Sequence, residues 1–149
     1  MLQRVIKHLN HNLSKHDITA QITGRIKHPI SILYKLYRKG TKLEELTDIF
    51  AIRIVVIDEE KCYKALKVVH NLYEYEKDKF KNYILNPKPN GYQSLHTIIT
   101  TEENYKIEIQ IRDHKMHYHA ESGEAAGNPP QKQSTKGVEF SRNKEGDSI

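Results

Sequence analysis

Nine consecutive residues, Ile49 to Ile57, read IFAIRIVVI, and Arg53 is the one polar side chain among them. β-Branched residues dominate the run, as they do in a central strand buried on both faces. Such a strand sets the frame, because a chain that contains it has to be organised around a sheet. With 149 residues the chain is one domain by length and long enough to bury a single core.

The flanking segments predict an α/β arrangement. Leu2, Val5, Ile6, Leu9 and Leu13 recur at helical spacing. Ile18 to Thr23 alternates with period 2 and reads as a first strand. Pro29 suits the first turn of a helix and Gly40 its end. Between them Ile32, Leu33, Leu36 and Tyr37 form an inward stripe, with Ser31, Lys35 and Arg38 on a different face. Glu59 to Tyr73 predicts a second amphipathic helix that turns Cys62, Ala65, Leu66, Val69 and Leu72 inward. Residues 74–91 read as a charged loop. Tyr92 to Thr100 and Tyr105 to Arg112 read as the strands of a hairpin. His114 to Ala126 is compatible with a helix. From Gly127 onward apolar periodicity vanishes, so the folded body is expected over residues 1–126 and disorder over 127–149.

Charge narrows the ligand class. The chain has 24 basic and 19 acidic residues, a net +5, which suits anionic ligands, either nucleotides or nucleic acid. The single Cys62 excludes an internal disulfide and any multi-cysteine metal cluster, and it fits a reducing cytosol. No run is long and apolar enough to span a bilayer, and the N-terminus lacks the apolar core of a secretion signal. The expected compartment is the cytoplasm.

Two constellations could carry chemistry. From Ile18 to Leu43 there are six basic residues and no acidic one. A solvated helix face is the ordinary reading of such a run, but here Arg25 and Lys27 leave a strand just before a helix that carries Ser31 and Lys35. A strand–helix junction of this kind directs N–H groups and a positive dipole toward an anion. The second constellation is acidic. Asp48 opens the buried strand, and Glu108 alternates with isoleucines in KIEIQIR, so that Glu108, Gln110 and Arg112 share one face. Strict alternation ordinarily marks a half-solvated sheet. However, Tyr92, Ser94 and His96 also share a face, and an even hairpin register sum, such as His96 opposite Glu108, puts both polar rows on one side. That side is either wet surface or a pocket floor. Two carboxylates from neighbouring strands could hold a hard cation such as Mg²⁺, as phosphoryl transfer requires. Asp48 and Arg53 have opposite strand parity, so both face one ligand only if Asp48 precedes the regular strand or a bulge intervenes. His114, His117 and His119 are expected on the surface, and Cys62 in the core.

Five segments, GRIKHPISILYK (24–35), TDIFAIRIVV (47–56), FKNYILNPKPNGYQSLHT (80–97), IEIQIR (107–112) and MHYHAESGEAA (116–126), resemble in order the successive motifs of RelA/SpoT-type (p)ppGpp synthetases. The resemblance implies a nucleotidyltransferase-like α/β fold, a mixed sheet flanked by helices. It also implies transfer of pyrophosphate from ATP to the 3′-hydroxyl of GDP or GTP. Carried over by motif position, Arg25 and Arg53 would sandwich the adenine, while Lys27, Ser31 and Lys35 would hold the ATP phosphates. Asp48 and Glu108 would bind Mg²⁺, and Glu108 would also draw the proton from the acceptor hydroxyl. Tyr92 would stack on the guanine, with Lys81, Lys88, Asn90, His96 and Gln110 around the acceptor nucleotide. Stacking of this kind is worth about 1–3 kcal/mol.

The departures from the family pattern are specific. Asn82 stands where the family has the aspartate of FKDYI, and Asp113 replaces the threonine after EIQIR. No histidine–aspartate hydrolase region precedes residue 20, which implies synthesis without degradation, and only a short helix stands where the family has a longer N-terminal helical part. The AAHW continuation becomes Ala125-Ala126-Gly127-Asn128-Pro129-Pro130, and the closing helices are missing. The partners implied are ATP and GDP or GTP, with no membrane. Small members of the family often assemble, and the sequence identifies no interface for a homo-oligomer. Two alternatives stay open. One is a remnant that binds guanine nucleotides without turnover. The other is a basic nucleic-acid-binding module, which ranks lower because the tyrosines are not interleaved with the basic run.

Overall fold

The structure, a computed structural model, describes residues 1–42 and 48–122, together with the backbone of 138–139. Its elements are α1 (Leu2–Lys15), β1 (Gln21–Ile26), α2 (Ile30–Arg38), β2 (Phe50–Val56), α3 (Glu59–Leu72), β3 (Glu74–Tyr75), β4 (Lys81–Asn82), β5 (Leu95–Thr100), β6 (Lys106–Asp113), α4 (His114–Glu121) and β7 (Val138–Glu139). They form one mixed sheet of order β3-β5-β6-β2-β1-β7, with β4 also paired to β5. The β2–β6 pair is parallel and the others are antiparallel. The apolar run becomes β2, buried along its whole length except at Arg53.

The core lies on one face of this sheet. Ile52 and Ile54 of β2 and Ile107, Ile109 and Ile111 of β6 are fully buried there, with α1 and α3 packed over them. Gly24 allows α1 its close approach to β1, since a β-carbon at that position would lie 3.1 Å from Ile6 Cδ1. Asp58 starts α3 by accepting a hydrogen bond from Lys61 N at 2.9 Å, and Glu59 and Glu60 complement the helix dipole. Cys62, Ala65 and Val69 face inward, as their spacing predicts.

Several local expectations need correction. β1 begins at Gln21 rather than Ile18, because the exit turn of α1, with Asp17 at φ 60°, occupies the intervening residues. Ile18 is instead a core side chain. In α2, Ile32 and Tyr37 do not point inward: they are 44% and 68% exposed, and Leu33 is the residue that packs on the core. Residues 74–91 are not purely loop, since β3 and β4 pair with β5. β5 starts at Leu95, not Tyr92. The expectation of disorder after Ala126 falls outside the described residues, apart from Val138–Glu139, which pairs with β1. No helix among the described residues is long and apolar enough to cross a membrane.

Candidate active site

The second face of the sheet carries the polar rows, and register aligns them. Arg25 lies beside Ala51, Ala51 beside Glu108, and Glu108 beside Ile98. In the adjoining row Thr23, Arg53, Gln110, His96 and Lys81 lie side by side across β1, β2, β6, β5 and β4. The hairpin register sum is even, as a shared polar face requires, but displaced by two: His96 opposes Gln110, and Ile98 opposes Glu108. Asp48 stands two residues ahead of β2, outside its alternation, which removes the parity conflict with Arg53.

The two carboxylates meet at Lys27, the residue after β1. Its Nζ donates to Asp48 Oδ1 at 2.7 Å and to Glu108 Oε1 at 3.0 Å. The Lys27 backbone N–H, bonded to Ile49 O at 2.6 Å, fixes the strand exit beside Asp48. Asp48 and Glu108 therefore reach a single cationic atom together, and their oxygen donors suit a hard divalent ion. They differ in exposure, 73% for the Asp48 side chain and 21% for that of Glu108. Burial pushes the Glu108 carboxyl up, but the Lys27 charge, His96 and a hydrogen bond from Gln110 outweigh it and hold the group below its ordinary value. Burial likewise opposes the charge on Lys27, but the two carboxylates raise its ammonium above the usual range.

A second cluster adjoins the first. Tyr92 OH and His96 Nε2 are 2.8 Å apart, and His96 Nδ1 lies 3.6 Å from Glu108 Oε2. Burial, reinforced by Arg112, Lys88 and Lys27 against the pull of Glu108, lowers His96 to about 4, so the ring is neutral at physiological pH. The Asn-Gly turn positions Tyr92: Asn90 Oδ1 accepts from Tyr92 N at 3.0 Å, and Gly91 N donates to Lys88 O at 2.8 Å. Lys88 Nζ rests 4.9 Å from the Tyr83 ring centre and 5.4 Å from that of Tyr92.

Gly91 has φ 88°, and a β-carbon there would come within 2.8 Å of His119 Nε2. Gly91→Ala should therefore destabilise the chain by about 1–3 kcal/mol, read as a lower urea midpoint.

Sequence reasoning located these residues unevenly. Lys27, Asp48, Glu108, Gln110, His96, Tyr92 and Lys88 form one chain of contacts. Arg25 and Arg53 share their face of the sheet, and Arg53 Nη1 lies 3.9 Å from Glu121 Oε2. Lys81 opposes His96 on an exposed edge. Ser31 and Lys35 lie exposed on α2, and among the described residues no side-chain hydrogen bond or ion pair ties either to the carboxylates. Ser94 is fully buried and donates to Leu95 O and Ile111 O, so it belongs to the scaffold. Tyr83 was missed, and Arg112, expected on the polar face with Glu108 and Gln110, was assigned no part in the site.

His117 is not a surface residue. Its Nδ1 is buried without a partner, and burial together with Arg53 and Arg112 lowers the ring to about 4. The unfolded chain, titrating at 6.5, takes up that proton first. Stability is thus present above pH 6.5 and is lost as pH falls toward 4. His117→Asn should narrow the difference between urea midpoints at pH 7 and pH 4.5.

The family model described as "Region found in RelA / SpoT proteins" matches residues 24–129. The chain belongs to the RelA/SpoT family. The GTP pyrophosphokinase of Escherichia coli (strain K12) is 41% identical over 125 residues, which cover 84% of this chain and 17% of that protein. The guanosine-3′,5′-bis(diphosphate) 3′-pyrophosphohydrolase of Aquifex aeolicus (strain VF5) is 43% identical over 122 residues, 82% of this chain and 18% of that one. The chain thus spans less than a fifth of the length of these relatives. Among solved structures, the small alarmone synthetase 2 of Bacillus subtilis superposes with a TM-score of 0.60 at 32% identity, covering 78% of this chain and 68% of the other.

Two departures of this RelA/SpoT chain from the family motifs, Asn82 and Asp113, have structural roles. Asn82 Oδ1 accepts from the backbone N–H groups of Ile84 and Leu85, which a carboxylate would do equally well. Asp113 caps α4 by accepting from Met116 N at 2.9 Å. A threonine hydroxyl can do the same.

Proposed function

We propose that this chain transfers pyrophosphate from ATP to the 3′-hydroxyl of GDP or GTP, producing guanosine tetra- or pentaphosphate and AMP. The observation that carries this reading is the convergence of Asp48 and Glu108 on one cationic nitrogen, beside a row that holds Arg53, Gln110 and His96. The synthetase resemblance and the name of the Escherichia coli relative support it. Arg25 and Arg53 clamp the adenine, and Lys27, Ser31 and Lys35 take the phosphates. Tyr92 stacks on the acceptor guanine, with Lys81, Lys88, Asn90, His96 and Gln110 around it. Asp48 and Glu108 would hold Mg²⁺, which when bound neutralises charge on the triphosphate.

Glu108 accepts the proton of the 3′-hydroxyl as the oxygen bonds to the β-phosphorus of ATP. The bond from that phosphorus to the bridging oxygen breaks, and AMP leaves with the electron pair. Depression of the Glu108 carboxyl keeps it ionised and ready to accept. The single cysteine and the nucleotide substrates agree with a cytoplasmic setting.

Purified chain incubated with ATP, GDP and Mg²⁺ should release guanosine tetraphosphate and AMP in equal amounts. EDTA should stop the reaction, and excess Mg²⁺ should restore it. Calorimetric binding of GDP with no product at any metal concentration would reduce the protein to a nucleotide binder.

A further inference from the structure

Arg112 has no role in the reading above, yet it is the one fully buried cation among the described residues, 4% exposed. A buried charge is costly unless paired, and among the described residues no carboxylate bonds to this one. Its Nη2 donates to Gln110 Oε1 at 3.1 Å, its Cζ lies 5.6 Å from the centre of the Tyr92 ring, and its Nε has no partner. Burial is the largest influence against its charge, Arg53 and Arg25 add to it, and Tyr92 and Glu121 favour the charge. The direct contacts that hold this guanidinium are thus two groups of the proposed acceptor site.

Those contacts run further. Gln110 Nε2 donates to Glu108 Oε1 at 3.0 Å. An amide has one accepting end and one donating end, whereas a guanidinium only donates. By claiming the oxygen of Gln110, Arg112 fixes which end faces the carboxylate; a flipped amide would aim oxygen at oxygen. On its other side the guanidinium is within the range of cation–π attraction to Tyr92. We propose that Arg112 is a positioning residue that sets the Tyr92 ring and the Gln110 amide together, coupling the platform for the acceptor base to the carboxylate that takes the acceptor proton. This rests on the assignment of Tyr92 to guanine and of Glu108 to the hydroxyl.

The test is a double-mutant cycle on the full chain. GDP affinity is measured by calorimetry for the wild type, Arg112→Met, Tyr92→Ala and the double variant. Arg112→Met should weaken GDP about tenfold in the wild-type background and less than about twofold once Tyr92 is gone. In turnover, Arg112→Met and Gln110→Met should lower kcat by similar factors, and the double variant no further than either alone. Additive losses would overturn the proposal and leave Arg112 a packing residue. If Tyr92→Ala weakens GDP while Arg112→Met does not, the proposal fails and the site assignment stands. If Tyr92→Ala itself has no effect, the guanine assignment fails first. Should Arg112→Met not fold, the ¹⁵N guanidinium resonance of Arg112 offers the same decision. It should shift when GDP is added to wild-type protein and stay fixed in Tyr92→Ala, and an unmoved wild-type resonance would sink the idea.

Discussion

Glu108→Gln is expected to lower pyrophosphate transfer by at least about 10³-fold while leaving the fold and GDP affinity close to wild type. The substitution keeps shape and removes charge. The amide introduced there would retain an oxygen for Lys27 but could neither accept the 3′-hydroxyl proton nor serve as an anionic partner for a divalent ion. Loss of a general base alone is worth about 10²–10⁴-fold. The fold should tolerate the change because the side chain sits on the polar face, away from the isoleucine layer. Single-turnover product formation with a parallel thermal melt checks both halves. Residual transfer within tenfold of wild type would remove Glu108 from the chemistry.

The second large effect is on stability. Ile109→Ala should cost about 3–4 kcal/mol. Ile109 is fully buried in β6, between Ile52 of β2 and Thr97 of β5, and its layer is covered by α3. The cavity left there cannot close without moving strands held on both sides. For a chain whose total stability is about 5–15 kcal/mol, this is a large fraction. The melting temperature should fall by about 10 °C. Tyr118→Ala, at a side chain 76% exposed, should stay within about 0.5 kcal/mol and serves as the comparison. Because β6 also carries Glu108 and Gln110, activity should fade at temperatures below the melt.

The sheet was legible because its strands have strong periodicity. The unbroken run at Ile49–Ile57 announced a strand covered by its surroundings, and the alternation in KIEIQIR separated core from site. α2 misled because its spacing reports an apolar stripe, not the presence of a neighbour to bury it; Ile32 and Tyr37 remain exposed. β3 and β4, at two residues each, are too short to show a period. Parity decided that His96 and Glu108 share a face, but turn geometry decided that His96 lies opposite Gln110 instead. One partner of Arg112, the Tyr92 ring, is brought in from the loop ahead of β5, which no local pattern encodes.

Lys27 gives the two carboxylates a counter-ion of their own. On the proposed reading, a divalent ion arriving by itself would have to displace the Lys27 ammonium, which its place after β1 holds beside both acids at high effective concentration. A nucleoside triphosphate would change that competition, because its phosphates would offer the lysine another partner. On the proposed reading, metal loading would thereby depend on donor loading, and stray divalent ions would be kept from accumulating between the acids ahead of the substrate.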